Sequence, residues 1–501
     1  MRQALPILNA RFHNLESYKP PVGTPYKLLP FRFIELDRER CVLSNFVGEH
    51  YVLRRATLQQ FVHHQLTSES SDYDELKSRH FLYDSDSNVA LDLLAVKYRT
   101  KQELLSQFTA LFMFVVSLRC DHSCPYCQVS RQSADRHAFD MSIDHADRAI
   151  DFMFRSPAPA IKVEFQGGEP LLNFAVIRHI VLKVKERNHT ELRQVEFVIA
   201  TNLVFLTDEI LSFCEEQDVS FSTSLDGPRE LHNRNRPRPG SDSYELATTG
   251  IRRIRERLGH DRVAALMTTT EESLQQPRQI IDEYMRQGFD AVFLRSISPY
   301  GFAVKTGHAD RYGVESWLNF YRTALAYVIE LNQSGIPFRE EYTSLILRKI
   351  LTPFPTGYVD LQSPAGLGIS CLVFNYDGAI YASDESRMLA ETGDTTFCLG
   401  HLARSSYEEV MLSPQLIETL EQTMTEGMPM CSDCGVQPYC GSDPVHHHAT
   451  QGDVVGFKPT SSFCGKNMGV IRHVFQLLED DPRAADVLTS WNQQPPVELV
   501  V

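Results

Sequence analysis

Three cysteines fall within one short stretch, Cys120-Asp-His-Ser-Cys124-Pro-Tyr-Cys127. Thiolates are soft ligands, and three on one loop can hold three irons of a [4Fe–4S] cube. The fourth iron is then open to a small molecule, which separates a reactive cluster from a closed electron carrier. The same residues also admit a structural zinc with His122 as fourth ligand, a closed cluster completed by a distant cysteine, or no metal. A second constellation, Cys431-Ser-Asp-Cys434-Gly-Val-Gln-Pro-Tyr-Cys440 followed by Cys464, offers four thiolates that can close around one cluster or one zinc ion. His446-His447-His448 also invites a metal reading, but consecutive side chains on a helix or strand cannot all face one ion.

Other residues could hold an organic ligand. In Gly167-Gly168-Glu169-Pro170, two glycines let the backbone approach a ligand and Glu169 supplies an acceptor for an ammonium group. Ser222-Thr-Ser224-Leu-Asp226-Gly227-Pro228 precedes His232-Asn-Arg-Asn-Arg236. Ser224 is either a ligand contact or a strand-end hydroxyl, and Asp226-Gly227 reads as a turn.

Those residues need a frame. Runs rich in Val, Ile, Phe and Thr predict strands at Leu111–Leu118, Ile161–Phe165, Val195–Thr201, Val219–Leu225, Arg262–Thr268 and Ala291–Ile297. Amphipathic stretches between them predict helices, among them Ile143–Phe154, Phe174–Arg187, Tyr244–Leu258 and Ser273–Gln287. Six strand–helix units imply an α/β fold with a parallel sheet, too few for an eight-fold barrel and suited to an open partial (β/α)6 barrel. Ligands of such sheets collect at the carboxyl ends of the strands, where the first cysteines and the Gly-Gly-Glu segment fall.

Before residue 110 the pattern changes. Short strands at Phe31–Glu35, Arg40–Leu43 and His50–Leu53, then helices at Leu58–Gln65 and Tyr73–Ser78, predict a small α+β unit. The expected organisation is 1–105 for this unit, 106–345 for the partial barrel, 346–480 for a Cys-rich region and 481–501 for a tail, loosely held because of its Pro-Pro and sparse apolar residues.

Bulk properties narrow the function. The chain has 501 residues and a net charge near −15, which excludes a general nucleic-acid binder needing a basic field. Met1–Asn14 carries no signal-peptide pattern, and no stretch approaches the roughly 20 apolar residues that span a bilayer. The expectation is a cytoplasmic protein without membrane contact. Of eleven cysteines, most lie in the clusters or beyond residue 370, and clustered cysteines without a secretion signal read as metal ligands rather than disulfides.

The spacing Cys-x3-Cys-x2-Cys, with Tyr126 before the last cysteine, resembles the signature of the radical S-adenosylmethionine (SAM) superfamily. Gly167-Gly168-Glu169 after the second strand resembles the segment with which that family binds the SAM amino group. Ser224-Leu-Asp-Gly-Pro followed by His232…Arg236 is similar to its peptide-modifying branch, and Asn202 matches a Thr-Asn turn after the third strand. The resemblance implies a [4Fe–4S] cluster on Cys120, Cys124 and Cys127, with SAM oriented by Gly167, Gly168, Glu169, Asn202, Ser224 and Arg236. It implies reductive cleavage of SAM to a 5′-deoxyadenosyl radical, which abstracts hydrogen from a substrate, and an external electron donor. The substrate-side acid or base stays unnamed: Asp226, Tyr300 and Glu340 have suitable positions, and each has a plainer structural reading.

The Cys-rich region resembles the SPASM extension of radical SAM peptide maturases. By that resemblance Cys431, Cys434, Cys440 and Cys464 hold an auxiliary [4Fe–4S] cluster. A first auxiliary cluster would want cysteines where Ser383-Asp384 and Pro444 stand. Cys371, Cys398, Asp384 and Asp443 then form either an unusual Cys/Asp site or a site that has lost its metal, the latter being expected. SPASM members mostly modify ribosomally made peptides, and several carry a winged-helix-like leader-binding unit, which the N-terminal unit would suit. Tyr381–Met388 and Tyr439–Val445 resemble the His-Xaa-Ser system maturases, implying a small protein substrate with His-Xaa-Ser repeats and a second radical SAM protein as partner. The alternatives are an anaerobic sulfatase-type maturase forming formylglycine, and a non-catalytic iron–sulfur scaffold or electron carrier.

Overall fold

The structure, a computed structural model, describes residues 23–86, 89–103, 105, 108–354 and 356–492. The start Met1–Asn14 and the tail beyond residue 492 lie outside the described residues. The chain divides into two compact units, 1–99 and 100–501.

In the first unit, Phe31–Glu35, Arg40–Asn45 and His50–Arg54 form an antiparallel sheet in that order. Helices Arg55–Val62 and Ser71–Ser78 cover it. Cys41, Leu43 and Leu53 from the sheet and Leu58, Phe61, Tyr73 and Leu76 from the helices make one core. Every second or third residue of these elements is apolar, which is what lets each bury one face.

The second unit is built on six parallel strands: β1 Leu111–Ser117, β2 Ala160–Gly167, β3 Gln194–Ala200, β4 Val219–Ser224, β5 Val263–Thr268 and β6 Leu294–Arg295. Three more strands follow: β7 Cys371–Phe374, β8 Ala379–Tyr381 and β9 Cys398–His401. The sheet order is β6-β5-β4-β3-β2-β1-β7-β8-β9. β7 pairs parallel with β1, and β8 and β9 add antiparallel.

β1 reads LFMFVVS and is buried along nearly its whole length, as a parallel strand covered on both faces must be. Phe112, Phe114 and Val116 pack under helices Ile143–Met153 and Phe174–Glu191, while Met113 and Val115 pack with Val373 and Tyr381 on the other face. The helices start where side chains satisfy their first N–H groups. Ser142, Thr207 and Asp242 accept from His145, Ile210 and Glu245, three residues on.

Three expectations change. The sixth predicted strand is two: Ala291–Val292 pairs with Arg339–Glu340, whereas β6 pairs with β5. The expected border at 345/346 is crossed by the β1–β7 ladder, so backbone hydrogen bonding continues from the six-stranded region into the Cys-rich one. Part of the expected loose tail is ordered as helix Pro482–Ser490. Asp481 caps it, and Ala484, Leu488 and Trp491 are buried.

Candidate cofactor site and cysteine clusters

β1 ends at Ser117 and runs into the loop with Cys120, Cys124 and Cys127, all half-buried. The loop is braced on every side. Ser123 N donates to Pro237 O (2.8 Å), Phe302 N to Cys127 O (2.8 Å) and Thr306 Oγ1 to Pro125 O (2.7 Å). Burial pushes the Cys120 thiol well up and the Cys124 thiol up to about 12. Without a cation both are neutral thiols, and iron is the kind of partner that would hold them as thiolates.

Beneath the loop, Tyr126 donates to Asp226 Oδ2 at 2.6 Å, and Arg236 Nε stands 3.5 Å from Asp226 Oδ1. The Arg236 guanidinium also lies 5.7 Å from the Tyr126 ring centre. Burial opposes the Arg236 charge, but Tyr126, Asp226 and Cys124 outweigh it and hold the group above its ordinary value. Asp226 is fully buried, so it is more than the turn residue expected from its Asp-Gly context. It joins the cysteine loop to the residues after β4.

A second brace involves Asp121 and His122. Asp121 accepts from Asn202 Nδ2 (2.9 Å) and from Arg238. Burial would raise its carboxyl, yet hydrogen bonds from His122, Arg238 and Asn202 hold it well below the usual range. His122 Nε2 meets Ser243 Oγ at 2.8 Å, and Nδ1 meets Asn202 Nδ2 at 2.9 Å. Ligand atoms of Cys120, Asp121 and His122 lie within 4.8 Å of one another. Both nitrogens of His122 are already engaged, so the zinc reading with His122 as fourth ligand does not fit.

At the end of β2, Gly168 N donates to Ser117 O (2.8 Å) and Glu169 N to Arg119 O (2.7 Å). A Cβ on Gly167 would sit 2.0 Å from Ser117 O, and one on Gly168 would sit 2.5 Å from Arg119 O. The glycines are therefore required by the close approach of the β1 and β2 ends, a different reason from the room for a ligand expected of them. Glu169 is fully buried. Its Oε1 accepts from Leu171 N (3.0 Å) and Thr201 Oγ1 (2.6 Å), and its Oε2 from Asn202 N (2.8 Å). Burial raises this carboxyl to about 7 against those donors. A carboxylate has about four lone-pair sites, so one remains for an ammonium. Ser224 ends β4 and is half-buried. Glu169, Asn202 and Ser224 thus stand at the carboxyl ends of three adjacent strands, next to the cysteine loop. Glu340, by contrast, caps helix Glu341–Leu351, accepting from Tyr342 N, Thr343 N and Leu294 N. Tyr300 is buried with its hydroxyl unpartnered.

Cys431, Cys434, Cys440 and Cys464 are gathered by turns and a helix start. Cys434 N donates to Cys431 O (3.1 Å), and Ser461 Oγ accepts from Cys464 N (3.1 Å). Burial, then the neighbouring cysteines, push Cys431 up to about 12 and Cys464 up to about 11. The four sulfurs therefore feel one another.

At the expected first auxiliary site the residues have other partners. Ser383 caps helix Asp384–Ala390 in a reciprocal box with Ser386, and Asp443 caps helix Pro444–Gln451 through His446 N (2.8 Å). Ser383 and Pro444, where cysteines would be wanted, thus stand at helix starts. Cys371 and Cys398 lie on β7 and β9 with β8 between them, and their sulfurs approach the carbonyls of Ala382 (3.7 Å) and Gly400 (3.6 Å). Asp384 pairs with Arg387 at 3.2 Å. The three histidines fan out around their helix: His446 to Ser462 (2.9 Å), His447 to Ser461 (2.8 Å) and His448 to Asp394 (2.8 Å). Each pins a different segment, and they share no ion.

Comparison with known proteins accords with this geometry. Residues 114–284 match the model of the Radical SAM superfamily. An uncharacterized protein of Methanothermobacter thermautotrophicus is 26% identical over 208 residues, 40% of this chain and 74% of that protein. The radical SAM cyclopropyl synthase TigE of Paramaledivibacter caminithermalis is 23% identical over 155 residues, which is 28% of this chain and only 32% of that protein. Among solved structures, anSMEcpe with bound AdoMet aligns with a TM-score of 0.63 at 15% identity, covering 76% of this chain and all of that one. SuiB of Streptococcus suis bound to precursor peptide SuiA aligns with a TM-score of 0.52 at 14% identity, covering 88% and 99%. At such identities the likeness is one of fold. No helix among the described residues is long and apolar enough to cross a membrane. The chain carries a radical SAM domain over residues 114–284, in an α/β fold shared with anSMEcpe and SuiB.

Proposed function

We propose that this chain binds a [4Fe–4S] cluster through Cys120, Cys124 and Cys127 and uses it to cleave SAM during the maturation of a peptide or small protein. The observation that carries the reading is the convergence of that loop with Glu169, Asn202 and Ser224 at the ends of β2, β3 and β4. When bound and reduced, the cluster with SAM supplies a 5′-deoxyadenosyl radical that abstracts a hydrogen atom from the substrate. The chain's own residues orient and enclose. Glu169 takes the SAM amino group on its remaining lone pair, and Asn202 and Ser224 face the same ligand. Arg236, fixed by Asp226, supplies positive charge beside the loop, while Gly167 and Gly168 hold the β1 and β2 ends together. Buried Tyr126 and the Asp121–His122 brace keep the loop rigid and water out. Incubation of the reconstituted, reduced protein with SAM should release 5′-deoxyadenosine; none from a protein with full iron content would leave a scaffold or electron carrier.

Cys431, Cys434, Cys440 and Cys464 are assigned an auxiliary [4Fe–4S] cluster, in a SPASM-type region spanning 346–480. The support is that the four thiols lie near enough to raise one another, on turns and a helix start that bring them together. About eight irons per chain are expected, and iron content unchanged in Cys431→Ala and Cys464→Ala would remove the assignment. The site around Cys371, Cys398, Asp384 and Asp443 is assigned no cluster, and about twelve irons would contradict that.

The substrate is assigned as a ribosomally made peptide, in a cytoplasmic, reducing setting with an external electron donor. SuiB, of similar fold, is known bound to its precursor peptide, and TigE is a radical SAM cyclopropyl synthase. The N-terminal unit, residues 1–105, offers the leader a winged-helix-like sheet with edge strands Phe31–Glu35 and His50–Arg54, to which an extended peptide can add. Substrates with His-Xaa-Ser repeats and a second radical SAM protein complete the proposal. Co-expression with such a small protein should change its mass, and peptide binding that survives deletion of residues 1–99 would sink the leader-binding role.

A further inference from the structure

A buried amide stands behind Cys440. Asn467, on helix Ser462–Asp480, is fully buried and points its amide Nδ2 at Cys440 Sγ, 3.7 Å away. The amide is not free to turn. Its Oδ1 accepts from the hydroxyl of Tyr342, itself buried on helix Glu341–Leu351. A thiolate can only accept, so the orientation with nitrogen toward sulfur is the one that satisfies both partners. The backbone of Cys440 is fixed as well, since Lys349 Nζ donates to its carbonyl at 2.7 Å and also to the carbonyl of Leu361. The Cys440 thiol approaches Gly441 O at 3.6 Å, but a metal-bound thiolate has no proton to donate. The Asn467 amide then remains as the hydrogen bond to that sulfur.

We infer that Asn467, oriented by Tyr342, is a positioning residue that sets the reduction potential of the auxiliary cluster through an N–H···S bond to Cys440. The inference rests on the assignment of Cys431, Cys434, Cys440 and Cys464 to a cluster. An N–H donated to a ligand sulfur draws electron density from the thiolate and favours the reduced, more negative state. In a buried setting without competing water the effect is larger than at a surface. Tyr342 is one step further out. Losing its hydroxyl frees the amide to rotate and should weaken the same bond without deleting it.

The test uses the full-length chain with Cys120, Cys124 and Cys127 changed to Ala, so that the auxiliary cluster is the one observed. After anaerobic reconstitution, iron and zinc are counted and the midpoint potential is read by an EPR-monitored redox titration. Asn467→Leu should move the midpoint to lower potential, and Tyr342→Phe should move it the same way by a smaller amount, both with iron content unchanged. Midpoints equal to the parent in iron-loaded Asn467→Leu and Tyr342→Phe would overturn the inference and leave the cluster assignment standing. If Asn467→Leu does not retain iron, Tyr342→Phe alone decides, an unshifted midpoint counting against the inference. A parent that holds no iron, or holds zinc, would overturn the cluster assignment and the inference together.

Discussion

Asp226 offers the sharpest test of how the cysteine loop is held. Its carboxylate is fully buried, accepts the Tyr126 hydroxyl at 2.6 Å and faces Arg236 at 3.5 Å. Asp226→Ala leaves a guanidinium with only 18% of its side chain exposed and no counter-charge at that contact. Removing one partner of a buried pair costs about 3–5 kcal/mol. The orphaned tyrosine hydroxyl would add roughly 1–3 kcal/mol. Water reaching Arg236 through its exposed fraction offsets part of this, so about 4 kcal/mol is a reasonable local loss. At about 1.4 kcal/mol per factor of ten, that is on the order of 10³ in the local opening equilibrium. Tyr126→Phe deletes only the hydroxyl–carboxylate bond, about 1.5–3 kcal/mol, or roughly 10- to 100-fold. Hydrogen exchange by mass spectrometry on a peptide covering residues 119–128 of the metal-free protein reads both. The expected order of exchange is wild type, then Tyr126→Phe, then Asp226→Ala. Unchanged exchange in a folded Asp226→Ala variant would refute the brace.

Glu164 is buried inside the sheet and burial raises its carboxyl from 4.5 to about 7, so its contribution to stability is complete below pH 4.5 and lost as pH rises to about 7. That shift corresponds to roughly 3 kcal/mol, so Glu164→Gln should gain on wild type between pH 5 and 7.5 in thermal unfolding of the metal-free protein, and a pH-independent difference would contradict it. Gly168→Ala places a Cβ 2.5 Å from a backbone oxygen of the β1 loop; it should separate the strand ends, and circular dichroism and iron content should both fall. Trp491→Ala empties a buried site next to Leu488 and should destabilise the second unit by about 3 kcal/mol, measured by urea unfolding; a neutral effect would return residues 482–491 to the loose tail expected from sequence.

Much of the fold is legible because the signals are local. The run LFMFVVS, apolar on both faces, specifies a buried parallel strand whatever it pairs with. Ile143–Met153 shows its amphipathic period and its serine cap in the sequence itself. The short strand CLVF of β7 does not announce that it adds to β1, more than 250 residues earlier, because pairing across such a separation leaves no local trace. The break between Val292 and β6 is hidden for the same reason, since two halves of one apolar run choose different partners.

At the site, the cysteines and Glu169 are visible by type and spacing, but their supports are not. Asp226 reads as a turn because its partner Tyr126 lies 100 positions away. Glycines 167 and 168 read as room for a ligand, while the atoms they accommodate belong to Ser117 and Arg119. Asp121 and His122 stand inside the first motif, and their polar character between its cysteines is the hint of a bracing role that the sequence offers. Ser383, where a cysteine would be wanted, and Asp443, a candidate ligand, each sit in a recognisable capping pattern, with Ser386 three residues after one and Pro444 directly after the other.

The central claim is that Cys120, Cys124 and Cys127 hold a cluster that cleaves SAM. The direct measurement is 5′-deoxyadenosine formed by the anaerobically reconstituted, dithionite-reduced protein given SAM, beside Cys124→Ala prepared identically. The account predicts 5′-deoxyadenosine and methionine in equal amounts from the wild-type chain and neither from the variant. No product from a wild-type chain carrying about eight irons, or equal product from Cys124→Ala, would contradict it.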